Sequence, residues 1–335
     1  MAGDRKTQSG EDRLIATYFR PLAKHPGALG LLDDAAVLTP PVGRDLVLTK
    51  DALVAGVHFF ADDPPGAIAR KALRVNLSDL AAKGTTPAGF LLALALPEGV
   101  TGPWLQAFAD GLGADADAYA CPLFGGDTVR TPGPLMVSIT ALGSLPHGSM
   151  VCRSGARAGD RVFVTGSIGD AALGLTLRRD GDAAQRWKLD AKLREHLTDR
   201  YLLPQPRNAL AEALRAHASA AMDVSDGLVG DFGKLCAASG VSAEIDVARV
   251  PLSEAAQAAL AAEPTLIETI LAGGDDYEIV CAIGEREGDE FRAAARAADV
   301  AVTEIGCIVP GDAPPGFIGA EGRPLSFAQA SFSHF

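Results

Sequence analysis

Residues 67–82 read as a helix. They are rich in Ala, Leu, Lys and Arg, follow Pro65-Gly66 and stop at Gly84. Leu73, Leu77 and Leu80 recur at i, i+4 and i+7 and make an apolar stripe. Asp79 lies well round the cylinder from Leu77, in the last turn, where the helix dipole disfavours a carboxylate. Either it is a solvated surface acid or a nearby cation compensates it.

The company Asp79 keeps favours the cation. Asp33-Asp34, Asp51, Asp127 and the pair Asp223 and Asp226 are further acidic clusters, most of them beside Gly, Ser or Thr at the end of an apolar run. A turn or a cap explains any one of them. Together they would repel one another unless cations neutralised them. Mg²⁺ takes hard oxygen ligands and keeps waters and substrate phosphate oxygens in its shell. In a strand ending at Val224, Asp223 and Ser225 share a face, and Asp226 begins the turn at or near a helix N-cap. A shared divalent-metal site is the expectation.

Gly125-Gly126-Asp127-Thr128 follows a predicted strand, and paired glycines let backbone N–H groups approach a phosphate, although such turns are also common without one. Arg153 and Arg157 either grip phosphates or are ordinary surface arginines. His58, between a Gly turn and two Phe, is either a packed histidine or a functional one. The chain has no G-x-x-x-x-G-K-[ST] loop, no protein-kinase motif set and no Ser–His–Asp or Cys–His arrangement.

A net charge of −12 argues against a nucleic-acid backbone or an anionic membrane as partner. The five cysteines are scattered and form no C-x-x-C pair, so neither a disulfide framework nor a structural zinc site is expected. No apolar run reaches the ~18 residues of a membrane span, and the polar start is not a signal peptide. A cytoplasmic enzyme fits these features.

The length of 335 residues suggests two domains. In the first, helices are expected at 11–23, 67–82 and 104–119, a turn feeding a strand within 29–38, and strands at 45–53, 87–96, 121–124 and 135–142. A Gly- and charge-rich connector around 146–160 separates 1–150 from 151–335. Beyond it, strands are expected at 161–165, 220–224, 241–247, 277–282 and 302–308, among Ala-rich helices. Strands and helices alternate without a strict βαβ rhythm, so two α/β or α+β domains are predicted.

Six motifs in order resemble the thiamine-monophosphate kinases. They are Asp51-x-Leu53-Val54-x-Gly56-Val57-His58-Phe59, Ala72-Leu73-x-Val75-Asn76-Leu77-Ser78-Asp79-Leu80-Ala81-Ala82-x-Gly84, Gly125-Gly126-Asp127-Thr128, Arg153-Ser154-Gly155-Ala156, Asp223-x-Ser225-Asp226-Gly227-Leu228 and Gly273-Gly274-Asp275-Asp276-Tyr277-Glu278. The likeness runs from Ile15 to the terminal His334-Phe335. It implies γ-phosphoryl transfer from ATP onto thiamine monophosphate. It also implies the two-domain fold shared with aminoimidazole ribonucleotide synthetase, with N-terminal domains pairing into a barrel across a homodimer and ATP in a groove between domains.

Carried over residue by residue, Asp34, Thr49, Asp51, Asp79, Asp127, Asp223 and Asp226 are implied ligands for several Mg²⁺ ions, with Asp79 and Asp226 central to catalysis. Gly126, Asp127, Arg153, Ser225 and Tyr119 are implied ATP contacts, and His58, Asp275 and Phe332 implied thiamine contacts. Other members of the superfamily, selenophosphate synthetases and hydrogenase-maturation proteins, use a reactive Cys near one end; here the first Cys is Cys121 and the sequence closes His-Phe. A nucleotide-binding protein without turnover is the remaining alternative.

Three positions depart from the family pattern. Asp275 stands where many members have Glu, and Gly30-Leu31-Leu32-Asp33-Asp34 lacks the Gly that often precedes the acidic pair. Lys50 stands where many have Thr. Strand alternation turns Thr49 and Asp51 to one face and Lys50 to the other, so its ammonium is expected to point away from Asp34 and Asp79. The competing expectation is an ammonium replacing one metal ion, within ~4 Å of those carboxylates.

Overall fold

The computed structural model describes residues 9–319 and 322–332, so the predicted terminal motif His334-Phe335 lies outside the described residues. The chain forms two compact units. One comprises the described residues up to Leu80 together with Pro87–His147; the other comprises Ala81–Thr86 and the described residues from Gly148 onward.

The first unit begins with a short helix, α1 (Gly10–Leu14), held by a capping box between Ser9 and Asp12. The helix then widens to a π-helical turn over Ile15–Phe19 and tightens to a 3₁₀ turn over Arg20–Leu22. Pro21 cannot donate to the preceding turn, so the regular helix expected over 11–23 is not continued there. The predicted strand within 29–38 does not form. Leu29, Gly30 and Leu31 all have positive φ, and the Val37 amide donates back to Gly27 O at 2.8 Å, so the segment closes on itself instead of joining a sheet.

Four strands follow with two helices between them: β1 (Arg44–Val54), α2 (Pro65–Ala82), β2 (Thr86–Leu96), α3 (Gly102–Ala118), β3 (Leu123–Arg130) and β4 (Met136–Pro146). The sheet order is β1-β4-β2-β3, with β1 antiparallel to β4 and β2 parallel to β3. One face of β1 and β4 carries Leu53, Val137, Ile139 and Ala141, all buried; on the other face Leu48, Lys50 and Ala52 are exposed.

From Lys71 to Ala82 every residue of α2 except Asp79 is buried. The stripe read from Leu73, Leu77 and Leu80 is therefore part of a helix enclosed all round. Its buried cations are paired. Arg74 grips Asp115 of α3 through two bonds of 2.5 and 3.0 Å, and Lys71 Nζ donates to His58 O at 3.0 Å.

The second unit is built on a six-stranded sheet of order β10-β7-β9-β5-β8-β6. The strands are β5 (Arg161–Thr165), β6 (Ala218–Val224), β7 (Ser242–Asp246), β8 (Glu278–Ile283), β9 (Val302–Val309) and β10 (Gly316–Ile318). β7-β9-β5-β8-β6 pair antiparallel, and β10 joins β7 in parallel. The helices are α4 (Asp170–Arg179), α5 (Ala183–Arg186), α6 (Ala191–Leu202), α7 (Ala211–His217), α8 (Leu228–Ser239), α9 (Glu254–Ala262), α10 (Leu266–Ala272) and α11 (Gly288–Ala297).

Alternate residues of the central strands enter two cores. Val162, Val164, Met222, Val280 and Ala282 pack with Leu173, Leu228 and Phe232. Phe163, Ala221, Ile279 and Cys281 pack with Leu214 and Phe291. The central strands are thus buried on both faces, which is why β5 and β8 read as near-continuous apolar runs, whereas β7 alternates.

Candidate active site

In the first unit a cavity of about 600 Å³ opens between the sheet and the segment that precedes it. Asp33, Asp34, Asp127 and Thr128 line it together with Lys50, Ser138 and Thr140. Lys50 pairs with Thr140 and Ala52 with Ser138 across the β1–β4 ladder, so these side chains share the face opposite the buried core. Asp34 and Asp127 are both exposed and face solvent-accessible space.

The other acids predicted in this unit sit elsewhere. Thr49 Oγ1 donates a short hydrogen bond to Asp79 Oδ2, on the face of β1 that α2 covers. The Asp51 amide donates to Asn76 Oδ1 at 3.1 Å, so α2 satisfies a backbone donor of the edge strand β1. Asp79 is half-buried, and the Thr49 hydroxyl supports it at the unfavourable end of its helix.

Lys50 follows strand alternation but not the full expectation. Its ammonium donates to Ser138 Oγ at 2.9 Å, and Ser138 Oγ donates in turn to Asp51 O at 2.9 Å. Among the described residues it forms no ion pair with Asp34 or Asp79. Lys50 nevertheless lines the same cavity as Asp34 instead of turning away from it.

Gly125 and Gly126 are not a turn. β3 runs straight through them, and a Cβ on Gly126 would fall 1.8 Å from Leu92 O of the neighbouring strand. The glycine is required by the close approach of β2 and β3, and Asp127 and Thr128 emerge from that strand at the cavity. His58 is half-buried, and its Nδ1 accepts from the Val54 amide at 3.0 Å, closing the turn after β1. Tyr119 ends α3 beneath the Arg74 guanidinium, 5.7 Å from its ring centre.

In the second unit the predicted residues gather around the turn between β6 and α8. Asp223 is buried near the end of β6, and Ser225 and Asp226 follow, half-buried. Asp231, in the first turn of α8, was missed from the sequence. Its Oδ2 accepts from the Ser225 amide at 2.9 Å and the Asp226 amide at 2.8 Å. Burial pushes the Asp231 carboxyl up, against the opposing pull of Lys234 and the Asp226 amide. An acid in the first turn of a helix that follows a Ser-Asp-Gly turn is the signal that would have found it.

Two other predicted positions are tied to the same turn. Ser225 O accepts from the Asp275 amide at 2.8 Å, and Asp226 O accepts from the Phe332 amide at 3.0 Å. Asp275 itself holds a left-handed backbone at φ 74. The next acid, Asp276, is fully enclosed and accepts from the Gly169 amide at 2.8 Å. Burial raises its pKa well above the usual carboxylate range. Arg153 is exposed, and its carbonyl accepts from Ser239 Oγ at 3.4 Å.

Residues 32–145 match the family described as AIR synthase related protein, N-terminal domain, and residues 157–315 match its C-terminal domain. The chain is 45% identical over 328 residues to the thiamine-monophosphate kinase of Caulobacter vibrioides, covering 96% of this chain and 89% of that one. The chain belongs to the thiamine-monophosphate kinase family.

Solved structures agree with this membership. The thiamine-monophosphate kinase of Stenotrophomonas maltophilia K279a superposes with a TM-score of 0.81 at 39% identity, over 94% of this chain and 96% of that one. A structure described as AaThiL complexed with AMPPCP and TMP superposes at 0.74 with 30% identity, over 92% and 97%.

The donor set suits the divalent metal implied for such a kinase. Among the described residues no three acidic, His or Cys side chains converge to cage an ion. Mg²⁺ does not need such a cage, because it commonly takes one or two carboxylates and completes its shell with waters and substrate phosphates. Asp33, Asp34 and Asp127 line one open cavity with the hydroxyls of Thr128 and Thr140, an all-oxygen set of that kind.

Proposed function

We propose that this chain transfers the γ-phosphoryl group of ATP directly onto the phosphate of thiamine monophosphate, giving thiamine diphosphate. The observation that carries the reading is kinship with thiamine-monophosphate kinases over nearly the whole length, joined to a carboxylate-lined cavity of about 600 Å³ in the first unit.

The acceptor is itself a phosphate, ionised at neutral pH, so the reaction needs no strong general base. The site matches that economy: the ring nitrogen of His58 that faces its own turn is already engaged by the Val54 amide. Catalysis then rests on alignment and on neutralising two polyanions brought together. Asp34, Asp127, Thr49, Asp51 and Asp79 in the first unit, and Asp223 and Asp226 in the second, would hold divalent metal, which would supply charge neutralisation for the phosphates. Asp33 joins this group as a third acid of the cavity that Asp34 and Asp127 line.

On this reading Ser225, Gly126, Asp127 and Arg153 contact ATP, with Tyr119 towards its base, and His58, Asp275 and Phe332 hold the thiamine. The short ties from Asp275 and Phe332 to the 225–226 backbone support the last two, since they couple the substrate residues to the catalytic turn. Lys50 adds a positive charge that faces the incoming phosphates.

We further infer a cytoplasmic homodimer formed through the first unit's sheet into a barrel. Leu48, Leu91 and Val129 expose 64%, 42% and 48% of their surface on its strands, the pattern of an apolar face awaiting a copy. All five cysteines are free thiols, which suits a reducing compartment. No described helix is long and apolar enough to cross a membrane.

Removing metal tests the reading. Exhaustive chelation is expected to abolish thiamine diphosphate formation and added Mg²⁺ to restore it. Undiminished turnover after chelation would overturn the metal-assisted mechanism.

A further inference from the structure

Asp226 does not stand free in this structure. Its Oδ2 is held by Lys234 Nζ at 2.7 Å, and the same ammonium reaches Asp231 Oδ1 at 2.8 Å. The two carboxylates differ in kind. Asp231 is 1% exposed and fixed by two backbone amides, whereas Asp226 and Lys234 are 38% and 43% exposed.

The main chain of Asp226 is fixed independently of its carboxylate. Its N–H donates to Asp231, and its carbonyl accepts from the Phe332 amide. The side chain is therefore the part that can exchange partners, by torsion alone. Lys234 is not stranded by such an exchange, because its bond to the buried Asp231 remains.

We propose that Lys234 is a positioning residue, an internal counter-cation that holds the Asp226 carboxylate until a divalent metal displaces it. It keeps the acid and its turn from being repelled by neighbouring carboxylates while no metal is bound. It also competes with the metal for the same oxygen, so the free enzyme binds metal more weakly than it would without Lys234. Once released, the ammonium stays on Asp231. The inference rests on the reading of Asp226 as a metal ligand.

The test is Mn²⁺ binding to the full chain without nucleotide, followed by loss of the free-ion signal in electron paramagnetic resonance. Removing an exposed ion-pair partner from a competing carboxylate should tighten Mn²⁺ binding by roughly two- to fivefold in K234M. K234R, which preserves the pair, should match the wild type, and D226N should weaken binding. K234Q keeps a hydrogen-bond donor for Asp231 without the charge and carries the comparison if K234M does not fold.

A purely structural lysine would lower thermal stability without tightening metal binding. Unchanged or weaker Mn²⁺ affinity in K234M and K234Q, with D226N weakened, overturns this inference alone. Unchanged affinity in D226N overturns the metal-ligand reading of Asp226, and this inference with it.

Discussion

Replacing Glu278 by Ala should destabilise the second unit more than any other single change to its polar groups. The Glu278 side chain is completely buried at the start of β8. It accepts from Arg200 Nη2 at 2.6 Å, Arg207 Nε at 2.6 Å and Thr165 Oγ1 at 2.6 Å. The Arg200 and Arg207 side chains are only 12% and 23% exposed, so neither guanidinium recovers full hydration when the carboxylate is gone.

Breaking a buried pair by removing one partner costs about 3–5 kcal/mol, because it leaves charge uncompensated in a poorly solvated place. For a unit of this size each kcal/mol lowers Tm by ~2–4 °C, so E278A should lose roughly 6–20 °C. E278Q keeps the volume and one acceptor and should fall between. Far-UV circular dichroism through a thermal ramp reads the loss. Replacing all three charged residues together, as E278M/R200M/R207M, should recover much of it, because no charge is then stranded. An E278A variant melting within about 2 °C of wild type would show that the Glu278 cluster contributes no net stability.

G126A should destabilise the first unit by about 1–3 kcal/mol or block its folding, since its Cβ would meet Leu92 backbone at 1.8 Å; thermal denaturation of the purified variant checks it. D276N should become progressively favourable as pH rises. The raised pKa of Asp276 means its contribution to stability is full below the unfolded value and is lost as pH climbs through the folded one, a dependence that Asn lacks. The Tm difference between D276N and wild type, followed from pH 5 to pH 8, should therefore grow more positive. D226N should fold normally yet lose about a hundredfold or more in kcat, and near-wild-type turnover would return Asp226 to holding its turn.

Helices and strands were legible wherever burial was continuous. The α2 sequence, the strand 161–165 and the apolar run before Asp223 are found where periodicity put them. Legibility failed where a local signal has two physical causes. Gly125-Gly126 reads as a turn, but Gly126 lies inside β3 and answers a strand-to-strand approach that only the fold reveals. The run 35–38 has strand composition, yet three successive left-handed residues before it send the chain back onto Gly27.

The candidate site divided in the same way. Asp34 and Asp127 were visible as acids beside apolar runs, and the structure brings both to one cavity. The Thr49 hydroxyl that donates to Asp79 was not legible as its partner, because the two meet only once α2 is laid on β1. Asp231 and Lys234 were missed because each looks like an ordinary charge on a helix; their importance lies in reaching Ser225 and Asp226 across the turn.

The fate of the γ-phosphate decides whether this chain is a thiamine-monophosphate kinase in solution. Purified protein should be given ATP labelled at the γ-phosphorus, Mg²⁺ and thiamine monophosphate, and the products separated. Label is expected in thiamine diphosphate, in step with ADP formed and dependent on the acceptor. Label released only as inorganic phosphate, with no thiamine diphosphate, would contradict that expectation.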